Sequence, residues 1–185
     1  MYISKQTHTA PELVTVLQAK KQLKLDASDQ TEDDLIEGYI AAAIVDAENY
    51  TNTSIFEANY LIEGEAFEQN LAIKLNPAQS VVISYLNAAG ATVVLGAENY
   101  RLRNLDTYQK EIYYKAFSDL PAVKADTDNA VSILVTTGYT AATLPMAIYQ
   151  AILLKVTNYY EQRNDGVEVL SKASENLLRN YRFYY

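Results

Sequence analysis

The sequence contains no cysteine and no tryptophan, and it has a single histidine, His8. The absence of cysteine excludes a disulfide framework, a thiolate zinc site and a cysteine nucleophile. Because there is no second histidine either, His8 has no obvious partners for a catalytic triad or a zinc site. The six glycines are not clustered into a phosphate-binding loop. We therefore expect no cofactor and no metal.

Long apolar runs are also missing. Residues 1–13 contain no stretch that would serve as a signal peptide, and the apolar stretches elsewhere are interrupted by polar or charged residues. No transmembrane helix is predicted on that ground. Together with the lack of cysteine, this favours a reducing cytosol and predicts no membrane partner.

Positive charge is absent from one long part of the chain. The net charge is −8, and residues 31–69 contain no lysine or arginine. The same segment carries ten carboxylates, which are Glu32, Asp33, Asp34, Glu37, Asp46, Glu48, Glu57, Glu63, Glu65 and Glu68. A tight DNA binder needs cations to neutralise phosphates, so the charge balance argues against that class. A protein that lets DNA pass without gripping it remains compatible with this balance.

The apolar pattern predicts helices at both ends of the chain. Thr15 is expected to cap a first helix and Thr31 a second. Pro145 is expected at the first position of a third helix that ends at 164–166, and a fourth is expected from about Val169. The second and third helices are expected to pack through apolar residues that recur at helical spacing, namely Leu35, Ile36, Ile40, Ile44, Ile148, Ile152 and Val156.

Between the helical ends, the hydrophobic period changes to two. Ile83 and Tyr85 alternate with polar residues, as do Ile133 and Val135, and such alternation is typical of half-buried strands. A turn is predicted at 87–90, where Gly90 permits a positive φ. We expect five to seven mostly antiparallel strands. The predicted class is α+β, with N-terminal helices in 1–56, an inserted β subdomain in 57–139, and C-terminal helices with an aromatic tail in 140–185.

Six short elements follow one another along the chain from about residue 11 to 182. They are Thr15-x3-Ala19-Lys20-x2-Leu23-x2-Asp26; Asp34-Leu-Ile-Glu37 running into Glu48-Asn-Tyr-Thr51; Asn76-Pro77 through Tyr100-Arg-Leu; Thr136-Thr-Gly138-Tyr139 with Leu144-Pro145; Tyr159-Tyr-Glu161-x-Arg163; and Leu177-Leu-x2-Tyr181-Arg182. In this order they resemble the elements of the head–tail connector (DNA-packaging adaptor) family of long-tailed bacteriophages. Each element alone is weak, and the order and spacing make the set specific.

The resemblance implies a structural role without catalysis. It implies a ring of about a dozen identical subunits, with head-to-tail contacts that close. Such a ring lies in the virion neck between the portal protein and the next neck or tail protein, after assembly in the host cytoplasm. It would extend the DNA channel and help to retain packaged DNA.

Two sets of residues are candidates for contacts with partners. The C-terminal segment is rich in the residue types that concentrate binding energy at interfaces, and the resemblance implies that it docks on the portal. This docking set is Arg179, Tyr181, Arg182, Phe183, Tyr184 and Tyr185. The alternative for this segment is that it folds back onto the third helix. The candidates for lining the channel are Glu32, Asp33, Glu37, Asp46 and Glu48.

Two other functions stay open from the sequence. Paired carboxylates can hydrolyse polysaccharides when they face each other across a cleft, and Glu63, Glu65 and Glu68 are the candidates for such a pair. The second alternative is another phage neck or tail-completion module that lacks the portal contact. Arg101 and Arg103 occupy alternate positions of a predicted strand and therefore share one face of the sheet. On that face they would be solvated or would meet a carboxylate of a neighbouring subunit.

Overall fold

The computed structural model describes residues 2–9, 13–104, 110–162 and 172–183. The chain folds as two compact units. The β unit contains the described residues up to Thr9 and those from Glu57 to Gly138, and the helical unit contains the described residues of 13–56 and 139–183. Helices fill one unit and antiparallel strands the other, so the predicted α+β class is confirmed.

The helical unit contains four helices, α1 (Val16–Leu23), α2 (Asp33–Thr51), α3 (Met146–Glu161) and α4 (Ala173–Leu178), and a 3-10 turn (Arg179–Tyr181) follows α4. The Thr15 cap of α1 is confirmed. The Thr15 hydroxyl accepts from the Gln18 N–H at 3.2 Å, and the Gln18 side chain accepts from the Thr15 N–H at 2.9 Å. This capping box satisfies two N–H groups that a helix start otherwise leaves unpaired.

The predicted caps of α2 and α3 are wrong in detail. The N-cap of α2 is Glu32 and not Thr31. The Thr31 N–H and hydroxyl both donate to the Asp29 carboxylate instead, at 3.0 and 2.8 Å. A short polar side chain thus competes with the helix for the capping group. Pro145 is the N-cap of α3 and not its first residue. The predicted helix end at 164–166 and the predicted start at Val169 lie outside the described residues.

The core of the helical unit lies between α2 and α3. Six of the seven predicted packing residues are buried there, and they are Ile36, Ile40, Ile44, Ile148, Ile152 and Val156. Leu35 is 39% exposed, so its predicted place in the core is wrong. The buried stripe of α2 starts at Ile36 and continues through Ile40 and Ile44, and Leu35 is turned about 100° away from that stripe.

The β unit contains eight strands among its described residues. They are β1 (Tyr2–Thr9), β2 (Glu57–Gly64), β3 (Leu71–Ile73), β4 (Ala78–Leu86), β5 (Thr92–Val94), β6 (Tyr100–Asn104), β7 (Lys110–Tyr114) and β8 (Val131–Thr137). Five strands form one sheet in the order β1-β2-β8-β4-β5, and three form another in the order β3-β7-β6. All the pairings are antiparallel. In β8 every second residue is buried. The apolar ones among them belong to a core cluster that also contains Ile62 of β2 and Ile83 of β4.

Strand β1 is a correction to the sequence analysis, which placed residues 1–56 with the helices. Its backbone pairs with β2 from Tyr2 opposite Glu63 to Thr9 opposite Glu57, with a bulge between Lys5 and Thr7. The strand is therefore part of the β unit. Its partner residues lie 48 to 61 positions away in the sequence, so no local pattern predicts the pairing.

The predicted turn between β4 and β5 is confirmed. Gly90 has a φ of 81°, and its N–H donates to the Asn87 carbonyl at 2.8 Å. The Asn87 side chain accepts from the N–H groups of Ala89 and Ala91, each at 3.0 Å. An asparagine and a glycine thus supply the side-chain acceptor and the left-handed backbone that this tight turn requires. None of the described helices is long and apolar enough to cross a membrane.

Candidate docking and channel-lining surfaces

The C-terminal docking set divides into an anchored residue and exposed ones. Phe183 is only 4% exposed. Its N–H donates to the Thr51 carbonyl at 2.7 Å, and its carbonyl accepts from the Asn52 side chain at 3.1 Å. Phe183 therefore closes onto the end of α2, so this residue follows the alternative in which the segment folds back. The sequence analysis named α3, and not α2, as the surface it would meet.

The end of α2 is built to receive Phe183. Asn52 has a φ of 53°, a left-handed conformation that asparagine tolerates at a helix C-terminus. This conformation ends the helix and leaves the Thr51 carbonyl without a partner within the helix. The Thr51 hydroxyl donates back to the Ala47 carbonyl at 2.7 Å. The carbonyl of Thr51 thus remains for Phe183, and an otherwise orphaned acceptor is satisfied.

The other described residues of the docking set are at least partly exposed. Arg179 and Arg182 are exposed and Tyr181 is half-buried. The Arg182 guanidinium lies 5.2 Å from the centroid of the Tyr50 ring, a cation–π contact that fixes its direction. Tyr184 and Tyr185 lie outside the described residues. The docking role of Arg179, Tyr181 and Arg182 stays a prediction.

Most of the candidate channel-lining carboxylates have partners inside the helical unit. Glu48 accepts from the N–H groups of Ile55 and Phe56, at 2.7 and 3.0 Å. These bonds fix the chain where it leaves α2. A carboxylate that accepts two backbone N–H bonds acts as a structural brace, and its charge is largely satisfied.

Asp46 and Glu32 join α2 and its start to α3. Asp46 accepts from the Tyr159 hydroxyl and forms an ion pair with Lys155 at 3.3 Å. Burial raises the pKa of Tyr159, and the hydrogen bond to Asp46 and the charge of that carboxylate raise it further. Glu32 accepts from the Tyr160 hydroxyl at 2.5 Å. The two tyrosines thus anchor acidic side chains of α2 and of its start on α3.

Asp33 forms an ion pair with Lys20, whose side chain is almost fully buried. The Lys20 ammonium also donates to the Asp29 carbonyl at 2.5 Å, so one cation joins α1, the following loop and α2. A buried lysine is stable only when it is paired in this way. Of the five candidates for lining the channel, Glu37 alone is fully exposed. Their role in a channel stays a prediction.

The sequence analysis missed the residues that hold these carboxylates in place. Lys155 and Tyr159 are four residues apart on α3, a spacing that places both on one face of the helix. That spacing was a signal that α3 carries a polar contact beside its apolar stripe. The identity of the acceptor was not readable, because Asp46 lies 109 residues from Lys155.

The carboxylates considered for hydrolysis lie together in the β unit. A groove of about 590 Å³ is lined by Glu63, Glu65 and Glu68 and also by Asp128. No group of three or more acidic or histidine side chains in the described part of the chain is arranged to hold a metal ion. His8 lies in β1, the edge strand of the larger sheet, and its backbone pairs with Ala58 of β2.

Solved structures with this fold come from the necks and virions of gene transfer agents. The neck of an empty gene transfer agent particle, computed with C6 symmetry, aligns with a TM-score of 0.75 and 23% identity. The virion of a native gene transfer agent particle gives 0.74 and 23%, and the neck of a native particle, computed with C12 symmetry, gives 0.69 and 22%. Each alignment covers 100% of this chain and 97% of the other chain. At these identities the likeness shows a shared fold.

A comparison of the sequence with curated proteins gives no match. The sequence does match the model of a family described as phage gp6-like head-tail connector protein, over residues 14–113. The matched region runs from the start of the helical unit through β7 of the β unit, so it samples both units. Because it covers more than half of the chain, the protein belongs to the phage gp6-like head–tail connector family.

Proposed function

We propose that this chain is a ring-forming subunit of a phage or prophage neck, placed between the portal protein and the next neck or tail protein. The family match over residues 14–113 carries the proposal. The similarity in fold over the whole chain to proteins of gene transfer agent necks supports it. In this role the ring extends the DNA channel and helps to retain the packaged DNA after assembly in the host cytoplasm.

The work of such a ring is mechanical. No bond is made or broken, and the carboxylates described in the helical unit brace the fold. With a net charge of −8, the surface repels phosphate, so DNA passes the ring without being held by it. Glu37, exposed on α2, is the best remaining candidate to face the DNA. Isolated protein is expected to bind duplex DNA weakly near physiological salt.

The docking of the ring on the portal uses the exposed C-terminal residues in this proposal. Arg179 and Arg182 offer cations, and Tyr181 offers a half-buried aromatic ring. Arginine and tyrosine are enriched where protein interfaces concentrate their binding energy. Phe183 holds this segment on α2, and so presents the three residues in a fixed position.

The experiment is deletion of the gene in the phage or prophage that encodes the chain. Loss of a connector should leave heads that package DNA but lose it and do not join tails, as seen by electron microscopy and by nuclease sensitivity of the packaged DNA. Wild-type protein supplied in trans should restore tailed particles. Normal tailed particles without the gene would contradict the proposal.

The polysaccharide hydrolase remains the alternative from a different class, because the groove brings four carboxylates together. A Glu65→Gln variant separates the two functions. A hydrolase would lose cleavage of cell-wall polysaccharide with this variant, and a connector has no such activity to lose. Binding to the portal protein distinguishes a connector from the other neck or tail-completion modules, which lack that contact.

A further inference from the structure

Two arginines and a tyrosine form an ordered cationic strip on the outer face of the smaller sheet. Arg101 lies directly opposite Tyr113 in the pairing of β6 with β7. The guanidinium carbons of Arg101 and Arg103 lie 4.9 and 4.7 Å from the centroid of the Tyr113 ring. Stacking on an aromatic ring holds a guanidinium in place, so less conformational entropy is lost when it binds an anion. We call these three residues the arginine strip.

One of the two arginines already has an anionic partner. Arg103 donates to the Glu111 carboxylate at 2.6 Å, and Glu111 is only 4% exposed. Arg101 is exposed, and among the residues that the structure describes it has no carboxylate partner. Within the described residues, the arginine strip thus presents one cation, Arg101, that is held by Tyr113 and has no carboxylate partner.

The same unit carries a surface of opposite charge elsewhere. The acidic groove lies at the end of β2 and the start of β8 in the larger sheet, and it is lined by Glu63, Glu65, Glu68 and Asp128. None of the described residues that line it is a lysine or an arginine. The ring of Phe67 forms part of its wall and packs on the Tyr85 and Tyr114 rings. The groove is therefore a cavity with acidic groups on a fixed aromatic wall. Since no metal-binding arrangement occurs among the described residues, its charge calls for another kind of cation.

We propose that the arginine strip of one copy of this chain docks into the acidic groove of the next copy, with Arg101 as the cation that enters the groove. The inference rests on the proposed ring and adds the surface by which its subunits recognise each other. The strip and the groove are different surfaces of one chain, so the contact can repeat head to tail from copy to copy, which is a heterologous arrangement. A heterologous contact is the type that closes rings, whereas a two-fold dimer uses the same surface twice.

A second copy fits the arginine strip better than DNA does. Each copy carries a net charge of −8, which repels phosphate, whereas the same charge leaves acidic surfaces that attract an arginine of another copy. The groove supplies four carboxylates where a guanidinium needs one or two. Complementary charges also fix the register of a contact and reject wrong partners, which an ordered ring requires.

The test is charge reversal with rescue, performed on the full chain assembled on its portal ring and followed by light scattering. Arg101→Glu should lower the fraction of chain in closed rings at least tenfold. The groove variant Glu65→Arg with Glu68→Arg should do the same. The triple variant, in which both signs are exchanged, should recover most of the rings. Lys115→Glu makes the same charge change at an exposed residue of the same unit and should leave assembly unchanged.

Each result has a defined consequence. The inference is overturned if Arg101→Glu assembles like wild type, or if the triple variant fails to recover while its thermal melting shows a folded chain. If Arg101→Glu leaves assembly intact but weakens binding of a short duplex DNA to the ring, the strip serves DNA and the inference is wrong. Wild-type chain that forms no ring on its portal overturns the proposed function as well, whereas failure of the variants alone to behave as expected leaves that function standing.

Discussion

The two units use acidic residues in different ways. In the helical unit, Asp33, Asp46 and Glu48 are held by a buried lysine, by a tyrosine with a lysine, and by two backbone N–H groups. In the β unit, the carboxylates from Glu63 to Glu68 line an open groove. One uninterrupted acidic segment of the sequence therefore contains two kinds of residue. Its charge has a meaning only after the partners of each carboxylate are known.

The largest effect is expected from a substitution in the core of the helical unit. Ile152 is fully buried between α2 and α3, so Ile152→Ala removes contacts and leaves a cavity. We expect a loss of about 2–5 kcal/mol in the free energy of unfolding. Urea denaturation measures it, with Val45→Ala as the control because Val45 is 47% exposed. Equal losses for the two variants would mean that the α2–α3 packing is wrong.

The next effect concerns the C-terminal segment. Phe183→Ala removes a buried ring from the end of α2 and should cost about 3–5 kcal/mol in the free energy of unfolding. Thermal unfolding is the measurement. Arg179→Ala, at an exposed residue of the same segment, should leave stability nearly unchanged and instead weaken binding to the portal. If Phe183→Ala melts like wild type, Phe183 belongs to the docking surface and not to the fold.

A third substitution sharpens the distinction between bracing and free carboxylates. Glu48→Ala leaves the N–H groups of Ile55 and Phe56 without their acceptor, which should cost about 1.5–3 kcal/mol. Glu37→Ala, on the exposed face of the same helix, should change stability by less than about 0.5 kcal/mol. Chemical denaturation of both variants tests the pair. A larger loss for Glu37→Ala would reverse the assignment.

The smallest effects come from one substitution made in both units. Tyr159→Phe removes the hydrogen bond to Asp46 and should cost about 1 kcal/mol at neutral pH. Among the described residues the Tyr114 hydroxyl has no hydrogen-bond partner, so Tyr114→Phe should be close to neutral there. Denaturant titration at pH 7 compares the two variants. A larger loss for Tyr114→Phe would mean that its hydroxyl has a partner in solution.

Alkaline pH gives a second test of the burial of Tyr114. Burial raises the pKa of Tyr114 to about 12, and the charge of Tyr100 adds to the rise. The folded chain thus holds this proton more tightly than the unfolded chain, whose tyrosines titrate near pH 10. The stability that depends on neutral Tyr114 is present below about pH 10 and is lost as the pH rises through about 12. Tyr114→Phe should therefore lose less stability than wild type over that range, and parallel curves would contradict the shift.

Local sequence signals predicted the elements that depend on near neighbours. The Thr15 cap depends on a residue three positions away, and the turn at Asn87 and Gly90 closes within a few residues. The buried stripe of α2 follows from helical periodicity. Such features are set by chain geometry and side-chain chemistry over one or two turns, so one sequence is enough to find them.

Features that depend on distant partners were not predictable in this way. Strand β1 exists because β2 offers it an edge whose residues lie 48 to 61 positions away in the sequence. The contacts of Asp46 were not predictable because its partners on α3 are distant in sequence. Phe183 looked like an interface residue because an aromatic side chain at a chain end suits both docking and burial, and only the open carbonyl of Thr51 decides between them. The acidic groove likewise combines two segments, at Glu63–Glu68 and Asp128, that periodicity does not connect.

The most direct test of the connector assignment is the mass of the purified chain in solution, measured by light scattering with and without its portal protein. The account predicts a complex of the portal with a closed ring of this chain, of about a dozen copies if the ring follows the C12 symmetry of a neck with this fold. The chain alone should show either free subunits or the same closed ring. A chain that stays monomeric and unbound in the presence of the portal would contradict the account.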